Sequence, residues 1–283
     1  MKKNNLLMIV FDSCRFDTFA AARKPNMDRI GQADARYSYA SWTVPSHTVY
    51  LMGVTPHKSP RGKFASEVYK NDFINWGTRL NIPDINFRGF VPQLSLPAFL
   101  KRHGYRTNAL VSMPVLNQTT NLNNHFDHYE LMPKHNDMNA MIDRLKFDID
   151  IPSFYLLNTG ETHYPYTIPG EDSSDLPILH GVHGVFKHMD DLMIDKEPTG
   201  EARYEMGDFF HEEKMLALKD KQQKNVEYLD SLFEKLFDTV PANTHIMVMS
   251  DHGEAFGESG YFGHGPIMHE KVYEVFYMEG LRP

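Results

Sequence analysis

An α/β fold, with a central mostly parallel sheet and helices on both faces, is predicted by three observations. Uninterrupted apolar runs occur at 5–11 (NLLMIVF), 153–158 (SFYLLN) and 245–250 (HIMVMS). A strand with no polar alternation must be buried on both faces, as central parallel strands are. Stretches with helical spacing separate these runs, the pattern of strand–helix alternation. Each run also delivers polar ligand-type residues just past its end: Asp12, then Gly160-Glu161-Thr162-His163, then Asp251-His252. Open α/β sheets bind ligands beyond the carboxyl ends of their strands, so one site built from distant parts of the chain is expected.

Taken in order, the first strand is 5–11, and a helix is expected over Pro25–Ala33. Residues 41–47 (SWTVPSH) precede an apolar stretch, and Pro45 suits the start of a helix. Pro- and Gly-rich residues 53–62 read as a loop. A helix over Leu96–His103 leads to a strand at Asn108–Ser112. A helix over Asp137–Lys146 leads to the strand at 153–158. Residues 165–177 read as a loop, opening an irregular substrate-side excursion at about 165–210. A long helix follows over 212–238, with Leu216, Leu218, Val226, Leu229, Leu232, Phe233 and Leu236 mostly three or four apart. The strand at 245–250 and another at Val272–Met278 complete the sheet. No internal repeat interrupts this order, so 1–283 is expected to be a single catalytic domain.

Composition limits the function. Of 283 residues, 41% are hydrophobic and 23% charged, which suits one large globular domain rather than a disordered chain. The net charge of −8 repels polyanions, so nucleic acid is not an expected partner. A single cysteine, Cys14, excludes an intrachain disulfide framework and a Cys-rich zinc ribbon, and is expected to be a buried packing thiol. The opening MKKNNLLMIVFDSC has only six apolar residues before Asp12, short for a signal-peptide core. No run of eighteen apolar residues occurs, so no transmembrane segment is expected, and the location expected is cytoplasmic. Fifteen histidines, mostly beside Asp, Glu, Gly or Pro, point to metal or phosphate chemistry.

Asp12, Asp251 and His252 together offer two carboxylates and an imidazole, a set suited to zinc or manganese rather than to the all-oxygen shells of calcium or magnesium. Taken alone, an aspartate at a strand end also serves as a turn or helix cap. Gly253 is expected to allow the sharp turn after Asp251-His252. In 43–46 (TVPS) a hydroxyl at a helix start would face an anion held by the helix N-terminus, with a plain N-cap as the alternative.

Seven motifs in order resemble the alkaline phosphatase superfamily, specifically its sulfatase-like and phosphoethanolamine-transferase-like branches. They are FDSCRFDTF (11–19), KPNMDRI (24–30), SWTVPSHTVYLMG (41–53), LPAFLKRHGYRTNALVS (96–112), NHFDHYE (124–130), THYPY (162–166) and SDHGEAFGE (250–258). The resemblance implies Thr43 as the nucleophile and a metal ligand, with Asp12, Asp251 and His252 as further ligands. It implies that His163 and His264 (in GYFGHG) contact the transferred group or a second metal. His47 stands where true sulfatases carry arginine and is implied to act on the phosphoryl group.

Three departures bear on the reaction. Asp12-Ser13 replaces the paired aspartates of many sulfatases, so the metal is expected to see one fewer carboxylate unless Asp17 or Glu161 compensates. Thr43 is not a substrate for conversion to the formylglycine that sulfatases use. The chain ends soon after the last expected strand, without the small C-terminal subdomain of large sulfatases. The function implied is a metal-dependent hydrolase or transferase acting on a phosphate or phosphonate ester, with a small anionic ester as substrate. One zinc or manganese ion is expected and a second is allowed. The alternatives are a sulfate-ester hydrolase and an inactive metal-binding module of the same fold.

Overall fold

The computed structural model describes residues 2–58, 62–90, 93–171, 211–265 and 267–283. Its central strand β1 (Asn5–Phe11) is buried along its whole length. β6 (Thr244–Ser250) and β5 (Ser153–Thr159) flank it in parallel. Beyond β5 lie β3 (Arg106–Val111) and β4 (His128–Leu131), also parallel. On the other side β9 (Glu274–Leu281) runs antiparallel to β6, and β2 (Asp34–Tyr37) antiparallel to β9. The sheet order is β2-β9-β6-β1-β5-β3-β4. A separate small hairpin pairs β7 (Ala255–Phe256) with β8 (Phe262–Gly263).

Alternation along β1 divides the core. Leu6, Met8 and Val10 face one layer, with Tyr50 of α2 (Thr43–Leu51), Trp76 of α3 (Ala65–Leu80) and Phe99 of α4 (Leu96–Arg102). Leu7, Ile9 and Phe11 face the other, with Phe19 of α1 (Phe16–Ala21), Met141 of α5 (Met138–Ile142), and Leu229 and Phe233 of α6 (Glu212–Thr239). Full burial of each such side chain is worth about 1.5–3 kcal/mol, which is why an all-apolar strand is stable only between two helical layers. Cys14 is fully buried in the second layer.

The strands at 5–11, 153–158 and 245–250 form as expected, while other elements shift. The helix expected over 25–33 is only a 3₁₀ turn, Met27–Arg29. Asp230 on α6 accepts the N–H groups of Asn26 and Met27 at 3.2 and 2.7 Å, which pins this stretch as a turn. The helix expected over 137–146 shortens to α5, where Asp137 caps by accepting from Ala140 N at 3.0 Å. The Tyr155 hydroxyl bonds both backbone groups of Lys146, at 3.0 and 2.9 Å, and holds the chain out of helix there. The strand expected at 272–278 begins at Glu274, because Val272 belongs to the one-turn helix α7 (Glu270–Tyr273). Leu216 is exposed, and its neighbour Met215 is the buried residue.

The sequence reading places no element at α1, β2, α3, β4 or the β7–β8 hairpin. In α3 the apolar positions Phe73, Trp76 and Leu80 share their face with Asp72 and Arg79. Asp72 accepts from Thr55, and the buried Arg79 pairs with Glu279 at 2.6 Å, so polar groups on the inner face hide the helical period. Of the excursion expected at about 165–210, residues 172–210 lie outside the described residues.

Candidate metal centre

The site forms at the carboxyl edge where three adjacent strands end: β6, β1 and β5. β1 ends into Asp12, β6 into Asp251 and His252, and β5 into the turn leading to His163. Ligand atoms of Asp12, Asp251 and His252 all lie within 4.8 Å of one another, and all three residues are buried. Among the described residues this is the only group of three or more His, Cys, Asp or Glu so placed. They form a candidate metal site.

Two buried carboxylates this close repel strongly, since neither is stabilised by water. Burial and the adjoining Asp12 push Asp251 well above the usual carboxylate range. Asp12 is held below its ordinary value, because His163, His252 and the Asn158 amide outweigh its burial. Among the described residues no lysine or arginine pairs with either carboxylate. A bound cation is the natural counter-charge, and the donor atoms fit one. Asp251 Oδ2 is buried without a hydrogen-bond partner. His252 Nδ1 donates to the Gly253 carbonyl at 2.9 Å, leaving Nε2 as a lone-pair donor toward Asp251 Oδ2, 3.4 Å away. Orienting a ligand histidine through its other ring nitrogen is common at metal sites. Burial pushes His252 well below its ordinary value, with His264 adding to the effect, so it stays neutral.

α2 brings the hydroxyl. Trp42 occupies the N-cap without a side-chain capping bond, and Thr43 is the first helical residue. Thr43 therefore does not act as the cap, and its Oγ1 lies 3.3 Å from His252 Nε2. One turn on, His47 Nδ1 donates to the Thr43 carbonyl at 2.8 Å and sits 3.8 Å from Asp251 Oδ2. His47 Nε2 is buried without a partner. Ser38 Oγ and the Tyr50 hydroxyl both donate to the Asp251 carbonyl, at 2.5 and 3.3 Å, which locks β6 to the α2 layer.

His264, just after the hairpin, sets its ring 4.2 Å from that of His252, tilted by 39°, and 5.3 Å from that of His163, edge to face. His163 Nδ1 donates to the Tyr164 carbonyl at 2.7 Å. Burial, with His163 beside it, pushes His264 down to about 3. The sequence-derived set Asp12, Thr43, His47, His163, Asp251, His252 and His264 thus meets in one place.

Asp17 and Glu161 do not supply the missing carboxylate. Both Asp17 oxygens are taken by Arg15, at 2.8 and 2.7 Å, and Lys219 adds a further pairing at 2.8 Å. Glu161 Oε1 accepts from Met138 N at 2.7 Å, its Oε2 is buried without a hydrogen-bond partner, and neither joins the ligand group of Asp12, Asp251 and His252. Ser13 stands there instead, with φ of 59°. Its N–H donates to Asp251 Oδ1 and its hydroxyl to Asp12 Oδ1, each at 3.1 Å, so it orients two carboxylates without adding a third. Sequence reasoning also missed Glu254, which is fully buried. Glu254 Oε1 meets His264 Nδ1 at 3.1 Å, its other oxygen accepts from the Tyr166 hydroxyl, and burial pushes it up to about 7. The signal was present as the last residue of SDHGE. The turn at Gly253 owes less to backbone freedom than to space: a Cβ there would lie 2.1 Å from the Lys271 carbonyl oxygen.

No family model matches the sequence, and no curated protein does either. Solved structures do match. The zinc complex of the C-terminal periplasmic domain of EcEptC from Escherichia coli aligns at 12% identity and a TM-score of 0.55, covering 100% of this chain and 74% of that one. A protein in the alkaline phosphatase superfamily from Vibrio parahaemolyticus aligns at 14% and 0.53, covering 100% of this chain and 62% of that one. BT1596, a 2-O GAG sulfatase, aligns at 13% and 0.55, covering 100% and 66%. The cytoplasmic location expected from the sequence is corrected by the EcEptC match, a periplasmic domain. Among the described residues no helix is long and apolar enough to cross a membrane. In its described residues the chain has the alkaline-phosphatase-like fold that these solved structures share.

Proposed function

We propose that the chain is a metal-dependent hydrolase or transferase of phosphate or phosphonate esters, with Thr43 as its nucleophile. The observation that carries this reading is the placement of Thr43 Oγ1, at the first residue of α2 and 3.3 Å from His252 Nε2, beside the two buried carboxylates. Asp12, Thr43, Asp251 and His252 would hold a zinc or manganese ion, as EcEptC was solved with zinc. Such an ion, when bound, lowers the hydroxyl pKa and neutralises charge on the phosphoryl group.

Thr43 Oγ1 then bonds to phosphorus as the bond to the leaving oxygen breaks, giving a phospho-threonine that water or an acceptor alcohol resolves. Backbone N–H groups of the first α2 turn face the anion; Pro45 contributes none. His163 and His264 stand beside the leaving group or serve a second ion, with Glu254 fixing the His264 ring. His47 holds a phosphoryl oxygen in its charged form, which an incoming anion favours against the burial that pushes it down. On this reading 1–283 is one catalytic domain working outside the cytoplasm, with substrate choice made by 165–210.

Sulfate-ester hydrolysis is the second reading, favoured by the fold shared with BT1596 and opposed by Thr43, which cannot supply an aldehyde hydrate. The deciding experiment is metal analysis with a panel of nitrophenyl phosphate, phosphodiester, phosphonate and sulfate esters, with manganese or zinc added. Phosphorus esters turned over only with metal are expected. Cleavage of the sulfate ester alone, or full activity in chelator, overturns the proposal.

A further inference from the structure

We propose that Gln222 of α6 is a positioning residue that sets the spacing between the loops after β1 and β5, and so the affinity and geometry of the metal centre. Gln222 is fully buried and lies outside the cluster of acids and histidines. All four hydrogen-bonding positions of its amide are used. Nε2 donates to the carbonyls of Ser13 at 2.9 Å and Thr162 at 3.0 Å. Oε1 accepts from Arg15 N at 3.1 Å and Thr18 Oγ1 at 2.6 Å. An amide has two donors and two acceptor lone pairs, so no valence is left over.

The partners make this more than ordinary core satisfaction. Ser13 and Arg15 flank Cys14 in the turn that begins at Asp12, while Thr162 directly precedes His163. One side chain therefore spans the loop carrying a carboxylate and the loop carrying an imidazole. Thr162 Oγ1 reinforces the link by donating to the Asp12 carbonyl at 2.8 Å, and Asn225 Nδ2, one turn along α6, donates to the Glu161 carbonyl at 2.5 Å. Ser13 has a positive φ, a conformation a non-glycine residue keeps only when its surroundings over-determine it. The Gln222 bond to the Ser13 carbonyl is one of those constraints. The Ser13 N–H and hydroxyl in turn reach Asp251 and Asp12. Loosening Gln222 thus reaches both carboxylates through Ser13, without removing any ligand.

This inference rests on the metal site of the proposed function, and its test separates the two. In Gln222→Met both halves of the amide are lost. In Gln222→Glu the acceptor side remains, but a carboxylate oxygen faces the carbonyls of Ser13 and Thr162. Gln223→Leu is the control, since Gln223 is half-buried and bonds Ala21 O alone, at 3.3 Å, away from both loops' carbonyls. The measurements on the full chain are calorimetric titration of the metal-free protein with manganese and with zinc, and hydrogen exchange of the peptides around 12–18 and 160–166. At least a tenfold loss of metal affinity is expected in both Gln222 variants, with faster exchange in both loops and no change in the control. Affinity within twofold of the parent chain overturns the inference, whatever happens to the melting temperature. If neither variant folds, Thr18→Val carries the test: a loss of threefold or more supports it, and no loss overturns it. A parent chain that binds no metal overturns the proposed function instead, and Gln222 is then judged on exchange in the two loops alone.

Discussion

At the scale of single residues, the reaction turns on one oxygen. Thr43→Ala removes it and is expected to raise the barrier by about 4 kcal/mol or more, roughly a thousandfold in rate, while metal binding persists through Asp12, Asp251 and His252. Thr43→Ser keeps the oxygen and loses a methyl group, so part of the activity should remain. Near-normal phosphoesterase rates in Thr43→Ala would replace the covalent route with attack by water. The residues of this site were legible because most follow strands whose apolar runs are unmistakable. Glu254 was visible in SDHGE, but its meaning depends on Tyr166 and His264 closing around it, which spacing does not reveal. Ser13 was read as the loss of a carboxylate; only the fold shows its N–H and hydroxyl turned onto the two aspartates.

At the scale of elements, the connection from β6 to the hairpin is held by contact. Gly253 N–H donates to the Val272 carbonyl at 2.7 Å, and an added Cβ would meet Lys271 O at 2.1 Å. Gly253→Ala should therefore cost about 1–3 kcal/mol in denaturant titrations, and weaken metal binding by displacing Asp251 and His252. Unchanged stability and affinity would show that the segment adjusts freely. In α6, Phe233 is fully buried, and Phe233→Ala should cost about 3–5 kcal/mol without altering metal affinity in the protein that remains folded. The long helix was readable from its period because its polar inner residues, Gln222, Asn225 and Asp230, fall between strong apolar positions. α3 was not, because Asp72 and Arg79 interrupt a shorter series and find their partners in Thr55 and Glu279, far along the chain.

For the whole molecule, metal and stability should be linked. An ion at a thousand times its dissociation constant adds about 4 kcal/mol, so chelation should lower the melting temperature by on the order of 10 °C. A melting curve indifferent to chelator would separate the carboxylate pair from any cation. Acid should act through a different place. Burial raises the Asp17 carboxyl, but Arg15 and Lys219 outweigh it and hold it at about 2. A carboxyl depressed on folding contributes stability that is present above its unfolded value of about 3.9 and lost as the pH falls toward 2. Asp17→Asn should be less stable than the parent at neutral pH and lose less on acidification between pH 5 and 2. Parallel pH profiles for the two proteins would remove Asp17 from the acid response.

The seating of β2 has a consequence for how the chain is made. β2 ends at Tyr37, and apart from one bridge between Tyr37 and His57 its neighbour among the described residues is β9, which begins at Glu274. At ribosomal rates of roughly 5–20 residues per second, the earlier strand emerges on the order of ten seconds or more before its partner exists. A long apolar strand left waiting would invite pairing with other nascent chains. β2 is instead four residues long, Asp-Ala-Arg-Tyr, with two charges and partly exposed faces. Short, charged and held at one end by His57, it is a poor template for other chains until translation delivers β9.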